Sequence, residues 1–191
     1  MSLVLSMEKD PLRRRLLEAR TQMPTEDRRA AEKKIADTLS TQAIMQCWST
    51  VAVFLPWRGE PDLMATWRAW YARGIELALP VVVARDQPLV MSHWQPGAAL
   101  IHDAMGLAVP AASSALSCDT WLVPCVGVDR SGARLGAGKG FYDRTIAATR
   151  RPWPRLVGVC FQSAMHDTLF SEPHDLRLDA CVTETGLHTF K

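Results

Sequence analysis

Four glycines fall within nine residues at Gly132, Gly136, Gly138 and Gly140. Glycine tolerates positive φ and lets the backbone approach a ligand closely, so such a run can turn several N–H groups toward one anion. An apolar run ending at Val128 precedes the glycines, and a helical pattern starting at Phe141 follows them. Strand, glycine turn and helix N-terminus in that order make a phosphate-binding unit, and they place the chain among α/β folds. The spelling excludes the two commonest versions of the unit. A Walker A loop needs glycine at Ala133 and Ser or Thr at Gly140, and the dinucleotide fingerprint fails at Phe141.

The rest of the chain alternates in the same way. Asp10 predicts an N-cap with Pro11 at the first helical position and Leu12, Leu16 and Ala19 as one stripe, leaving residues 1–7 as a flexible tail before a single domain over 8–191. Pro24-Thr25-Glu26-Asp27 opens a second helix, with Ala31, Ile35 and Leu39 on one face. Buried strands are predicted at Thr50–Leu55, Ile75–Val83, Leu89–Trp94, Asp119–Val128, Arg155–Phe161 and Leu176–Thr183. Between them come a helix from Pro61 to Gly74, with Leu63, Trp67 and Trp70 facing the core, and another over Phe141–Arg150. Residues 104–117 carry little pattern and read as loop. The expected architecture is a single three-layer α/β/α domain with a mostly parallel central sheet.

Composition narrows the function. With 191 residues, 48% of them hydrophobic, the chain can bury one substantial core. A net charge of +2 gives no reason to expect a nucleic acid across the surface, and no apolar run approaches the ~20 residues of a membrane span. No basic start or apolar h-region marks a signal peptide. The five cysteines are an odd number without a C-x-x-C pair and read as buried reduced thiols, which suits a cytoplasmic location.

Covalent and zinc chemistry lack their parts. There is no H-E-x-x-H spacing, no G-x-S-x-G elbow and no cysteine in an electropositive setting. What remains is phosphate handling: glycine N–H groups, the cations Arg134, Lys139 and Arg144, and Asp143. Asp143 reads either as a magnesium ligand or as an ion-pair partner of Arg134 or Arg144. Lys9 and Arg13 are four apart and could reach one ligand. Arg13, Arg14 and Arg15 would oppose the dipole of a helix starting at Pro11, which a bound anion would reverse; the alternative is a solvated face. Glu60, between a strand end and a helix start, reads equally as a ligand contact or a capping carboxylate.

Together these segments resemble the 5-formyltetrahydrofolate cyclo-ligase (methenyltetrahydrofolate synthetase) family. The likeness lies in Arg134-Leu-Gly-Ala-Gly-Lys-Gly-Phe-Tyr-Asp-Arg144, preceded by Leu122-Val-Pro-Cys-Val-Gly-Val-Asp129 and Ser131-Gly132. It extends to Lys9 with Arg13, to Phe54-Leu-Pro with Glu60, to Met91 with Trp94-Gln-Pro-Gly97, and to His174-Asp175 with Leu178-Asp179. The resemblance implies an ATP- and Mg2+-dependent closure of 5-formyltetrahydrofolate to 5,10-methenyltetrahydrofolate by a monomer with small-molecule partners only. It implies that Lys9, Arg13, Arg134, Leu135, Gly136, Ala137, Gly138, Lys139, Gly140, Phe141 and Tyr142 bind ATP, with Arg134 and Lys139 as the catalytic cations. Leu55 and Glu60 would contact the folate, and Ala137 to Phe141 would face both ligands. Asp143 and Asp179 would hold magnesium, and Trp57 and Trp94 read equally as flat surfaces for the pterin or as ordinary packing. The chain departs from the family pattern at Val128 and Ala137, where aromatic residues are usual, and at Pro61-Asp62-Leu63. The competing readings are a non-catalytic folate or nucleotide binder, and a sugar-phosphate isomerase or CoA-transferase-like enzyme on a similar sheet.

Overall fold

The computed structural model describes residues 2–112, 114–169 and 175–190. Two helices open the chain, α1 (Ser2–Thr21) and α2 (Thr25–Met45). They are followed by β1 (Thr50–Ala52), α3 (Met64–Ala72), β2 (Glu76–Val81), β3 (Val90–Trp94), β4 (Leu100–His102) and β5 (Ala108–Pro110). Next come β6 (Thr120–Pro124), β7 (Gly127–Asp129), β8 (Arg134–Leu135), α4 (Phe141–Ala148), β9 (Arg155–Val159), β10 (Met165–His166), β11 (Ala180–Thr183) and β12 (Gly186–Thr189).

The central sheet has seven strands in the order β12-β11-β9-β6-β1-β2-β3. β1, β2, β6, β9 and β11 are mutually parallel, while β3 and β12 run antiparallel at the two edges. The parallel strands are covered on both faces, which explains their continuous apolar spelling. Val51, Val53, Leu77, Leu79, Leu122 and Val157 point to the core under α2 and α3, where Leu63, Trp67 and Trp70 also pack. Ala52, Ala78, Trp121, Val123, Leu156 and Cys181 point the other way, toward Phe141, Tyr142 and Ile146 of α4. This second layer is mixed, since α4 shares it with a small sheet of β10, β7 and β8. At the free edge, residues 114–116 pair with β3 through His93 N–H to the Ser114 carbonyl and Leu116 N–H to the Met91 carbonyl. Such a cover blunts an otherwise exposed strand edge.

The α/β architecture and the mostly parallel sheet agree with expectation, and several element bounds do not. α1 starts at Ser2 rather than at Asp10 and carries Pro11 in its interior. The backbone of residues 2–7 is therefore helical where a tail is expected, and Arg13 lies well inside the helix. The dipole argument for Arg13, Arg14 and Arg15 thereby loses its basis, because it acts only within the first turn. Leu176–Thr183 yields a strand only from Ala180, and the apolar run Asp119–Val128 divides into β6 and β7 around Cys125 and Val126.

The chain leaves β1 toward β2 on one side and returns to place β6 on the other. Strand order reverses between β1 and β6, and in open α/β sheets ligands collect beyond the carboxyl ends of strands at such a point. The turn after β1 holds Leu55 to Glu60, and the segment after β6 leads into the glycine loop.

Candidate active site

A cavity of about 530 Å³ opens at that reversal. The glycine loop forms one wall, from Arg134 through Gly136, Gly138 and Gly140 to Asp143. Gly138 (φ +86°) and Gly140 (φ +64°) occupy the left-handed region that a side chain disfavours. Gly140 is also the N-cap of α4, and among the described residues no side chain caps that helix. The N-terminal N–H groups of α4 and its dipole are thus presented at the cavity, an arrangement suited to an anion.

Cations surround this wall. Arg13 reaches across from α1 and donates through Nε to the Gly136 carbonyl at 2.9 Å, while also pairing with Asp10. Its guanidinium lies against Gly138, where a Cβ would come within 3.2 Å of Cζ. Lys9 pairs with Asp175 at 2.8 Å, and both residues line the cavity. Arg134 is nearly buried, 3.5 Å from Asp143 Oδ2, with its guanidinium over the Tyr142 ring. Its Nε has no hydrogen-bond partner among the described residues, although buried polar groups are nearly always paired. That orphaned donor fits a site completed by an anionic ligand. Lys139 is exposed at the rim.

The facing wall comes from the turn after β1. Left-handed Arg58 and Gly59 fold residues 57–60 into a tight loop, with Glu60 N–H bonded to the Trp57 carbonyl at 3.1 Å. Glu60 Oε2 accepts the Trp57 N–H at 3.1 Å, and Oε1 lies 3.9 Å from Arg20 Nη2. Burial pushes the Glu60 carboxyl up to about 7, against the opposing pull of Arg20 and the Trp57 N–H. Desolvation likewise pushes the Tyr142 phenol upward, so it stays neutral. Leu55, Pro56, Leu79, Val82 and Leu89 make the floor between the two walls apolar. An anion cradle on one side and an apolar slot with one carboxyl on the other can hold two chemically different ligands in contact.

The comparisons with known proteins agree with this geometry. The model described as the 5-formyltetrahydrofolate cyclo-ligase family matches residues 5–184. The chain belongs to the 5-formyltetrahydrofolate cyclo-ligase family. It is similar to the 5-formyltetrahydrofolate cyclo-ligase of Mycolicibacterium smegmatis, 33% identical over 92% of this chain and 93% of that protein. The Escherichia coli K12 cyclo-ligase is 29% identical over 70% of this chain and 77% of its own. Among solved structures, the 5,10-methenyltetrahydrofolate synthetase of Aquifex aeolicus superposes with a TM-score of 0.81 at 27% identity, covering 96% of this chain and 93% of that one. The Mycoplasma pneumoniae synthetase shares the fold, with a TM-score of 0.75 at 21% identity over 92% and 98% of the two chains.

Within this cyclo-ligase family member, most of the residues singled out from sequence converge. Lys9, Arg13, Leu55 and Glu60 line the cavity together with the whole span from Arg134 to Asp143. Asp179 does not. It stands exposed before β11, and its Oδ2 accepts the Leu156 N–H at 2.7 Å at the start of β9. That is the amino end of the parallel strands, opposite the cavity, so the expected metal role of Asp179 is corrected to a strand-pairing one. Asp175, four residues earlier, takes its place at the cavity wall, and Asp143 Oδ1 accepts the neighbouring Leu176 N–H at 2.9 Å. His174 lies outside the described residues. Trp94 is 2% exposed and packs in the core, which removes it as a pterin surface. Trp57 lines the cavity with Arg58 stacked on its ring.

Two contributors escape the sequence reading. The β4–β5 hairpin brings His102 to the cavity together with Met105 and Leu107, the latter two from the stretch read as loop. Arg20, near the end of α1, had no distinguishing neighbour in sequence. Its burial was the missing signal, at 6% exposed for a residue type that rarely leaves solvent.

Proposed function

We propose that this cavity binds Mg-ATP and 5-formyltetrahydrofolate side by side and closes the folate to 5,10-methenyltetrahydrofolate, releasing ADP and phosphate. The observation that carries the reading is the uncapped, glycine-flanked N-terminus of α4 facing Glu60 across one apolar slot. In this reading the formyl oxygen takes the γ-phosphoryl group of ATP, and the O–P bond formed replaces the one broken to ADP. Nitrogen 10 then attacks the activated formyl carbon, and the C–O bond breaks with loss of phosphate. No protein nucleophile is required. The chain supplies alignment of the reacting oxygen and phosphorus and neutralisation of the charge between them.

Gly136 to Gly140 and the start of α4 cradle the phosphates, with Lys9 and Arg13 closing over them from α1. Arg134 and Lys139 neutralise the transferring group, while Leu135, Phe141 and Tyr142 shape the pocket around the nucleotide. Leu55 and Glu60 hold the folate, the carboxylate accepting from the N–H edge of the pterin. Asp143 and Asp175 would hold magnesium, an ion that typically takes one or two carboxylates plus phosphate oxygens and would neutralise phosphate charge. No group of three or more metal-ligating side chains occurs among the described residues, which suits an ion brought in with its nucleotide.

We assign the enzyme to the cytoplasm as a monomer. The five cysteines are free thiols, four of them buried; among the described residues no helix is long and apolar enough to cross a membrane; and one chain builds the whole cavity. The test is direct. Enzyme, Mg-ATP and 5-formyltetrahydrofolate should yield methenyltetrahydrofolate, seen by its near-ultraviolet absorbance, with one ADP for each product. Binding of both ligands without turnover would leave only a sequestering role, and turnover of a phosphosugar without ATP would replace the reading altogether.

A further inference from the structure

Arg20 is buried among backbone carbonyls at the join of the two loops that frame the cavity. Nε donates to the Arg58 carbonyl at 3.0 Å and Nη2 to the Trp57 carbonyl at 3.4 Å, both in the turn that ends at Glu60. Nη1 donates to the Cys125 carbonyl at 3.4 Å, in the segment that leads from β6 toward the glycine loop. Nη2 also stands 3.9 Å from Glu60 Oε1. One guanidinium therefore ties the carboxyl ends of β1 and β6 together across the strand reversal. Arg28 of α2 extends the tie, donating to the carbonyls of Gly59 and of Arg20 itself.

A charged side chain so deeply buried is a costly way to join two loops, and apolar packing would hold them as well. Desolvation lowers the basicity of Arg20, and the Glu60 carboxylate opposes that shift. What the guanidinium adds is direction. Its planar fork fixes several acceptors at once, which a lysine ammonium cannot do. Arg20 is absent from the cavity lining, whereas Glu60 is part of it.

We infer that Arg20 is the positioning residue that holds Glu60 and its turn in place, so that folate binding depends on a side chain that never touches the folate. The inference rests on the reading that Glu60 contacts the folate. Three groups feel the charge of Glu60: Arg20 on α1, Cys125 and Tyr142, while Arg28 of α2 acts in turn on Arg20. Arg20 is the one that draws the carboxyl toward its ionised form.

The experiment compares the full-length wild type with Arg20→Gln, Arg20→Lys, Glu60→Gln and the double variant Arg20→Gln/Glu60→Gln. KM is measured separately for 5-formyltetrahydrofolate and for ATP, and kcat/KM for folate is followed from pH 5.5 to 9. Arg20→Gln is expected to raise the folate KM roughly tenfold or more, while the ATP KM stays within about twofold. It should also move the acid limb of kcat/KM upward by about one pH unit, because Glu60 loses its stabilising cation. Arg20→Lys should restore the limb but only part of the folate KM. In the Glu60→Gln background the Arg20→Gln change should add little, since residues acting through one contact are not additive.

Equal rises in both KM values, an unmoved acid limb, or full additivity with Glu60→Gln would each reduce Arg20 to a structural residue and overturn the inference. If Arg20→Gln does not fold, Arg20→Lys decides by the same KM comparison: a selective folate defect supports the inference, and wild-type constants overturn it. A wild-type chain that neither consumes ATP nor forms product overturns the underlying reading and the inference with it. An active wild type with an indifferent Arg20 overturns the inference alone.

Discussion

Glu60 links the stability of the molecule to its chemistry. In the unfolded chain its carboxyl titrates near 4.5, and in the folded chain at about 7. Between those values the folded state binds more protons than the unfolded one, so stability falls as pH rises through the window. The contribution approaches about 3 kcal/mol and is lost above pH 7. Glu60→Gln cannot ionise and escapes this loss. Denaturant melts at pH 5 and pH 8 should show the wild type losing stability relative to Glu60→Gln as pH rises; equal pH dependence would remove the buried carboxyl as the cause. The two aspartates make a second contrast. Asp143→Asn should raise the magnesium concentration needed for half-maximal turnover by about tenfold or abolish turnover, because one of few ligands is lost. Asp179→Asn should leave the magnesium requirement unchanged and cost about 1 kcal/mol in a melt, the worth of one hydrogen bond to the Leu156 N–H.

At the scale of elements, the glycine loop does two separable jobs. Gly138 leaves room for Arg13, whose Cζ a Cβ would meet at 3.2 Å. Gly132, also with positive φ, leaves room for the protein itself: a Cβ there would lie 2.7 Å from the Leu178 carbonyl. Gly138→Ala should therefore raise the ATP KM severalfold with a small loss of stability. Gly132→Ala should lower stability by ~2 kcal/mol or more with ATP KM intact in the folded fraction. Thermal melts and ATP kinetics on the same two variants check both halves. The loop, its flanking strand and its helix were legible because each has a local cause: the glycines permit the turn, the apolar run fills a buried strand, and Phe141 opens an amphipathic pattern. β8 and β10 were not, because strands of two residues are too short to show a period and form only by pairing with distant partners. The β4–β5 hairpin escaped for the same reason, taking its contribution to the cavity with it. Asp179 misled because spacing within a motif says nothing about which end of a strand faces the ligand. Its place before β11 rather than after a strand decides that.

For the molecule as a whole, the cavity is closed by the element least tied to the core. α1 supplies Lys9 and Arg13 to the anion site and Arg20 to Glu60. Yet among the described side chains its buried apolar contact is a small cluster of Leu16 with Val126, Leu135 and Leu169, flanked by Leu12 and Leu17. The two main cores, under α2 and α3 and under α4, are built without it. An element held mostly by polar contacts, with little apolar burial, opens at a lower free energy than the sheet it rests on. Half of that attachment was hidden in the sequence: Lys9 and Arg13 stood out as a pair, whereas Arg20 looks like any other arginine on a polar helix. Backbone amides of residues 12–20 should accordingly exchange with deuterium well before those of β1, β6 and β9 in the ligand-free enzyme. Saturating Mg-ATP gives Lys9 and Arg13 a shared partner, and at about a hundredfold over Kd it adds about 2.7 kcal/mol to any opening that releases the nucleotide. Exchange across α1 should then slow by up to about a hundredfold, with the sheet slowed no more than α1. Mass-spectrometric exchange on the whole chain, with and without Mg-ATP, reads this directly. Equal protection of α1 and the sheet before ligand is added would mean that α1 belongs to the core, and that the cavity is preformed rather than completed by its nucleotide.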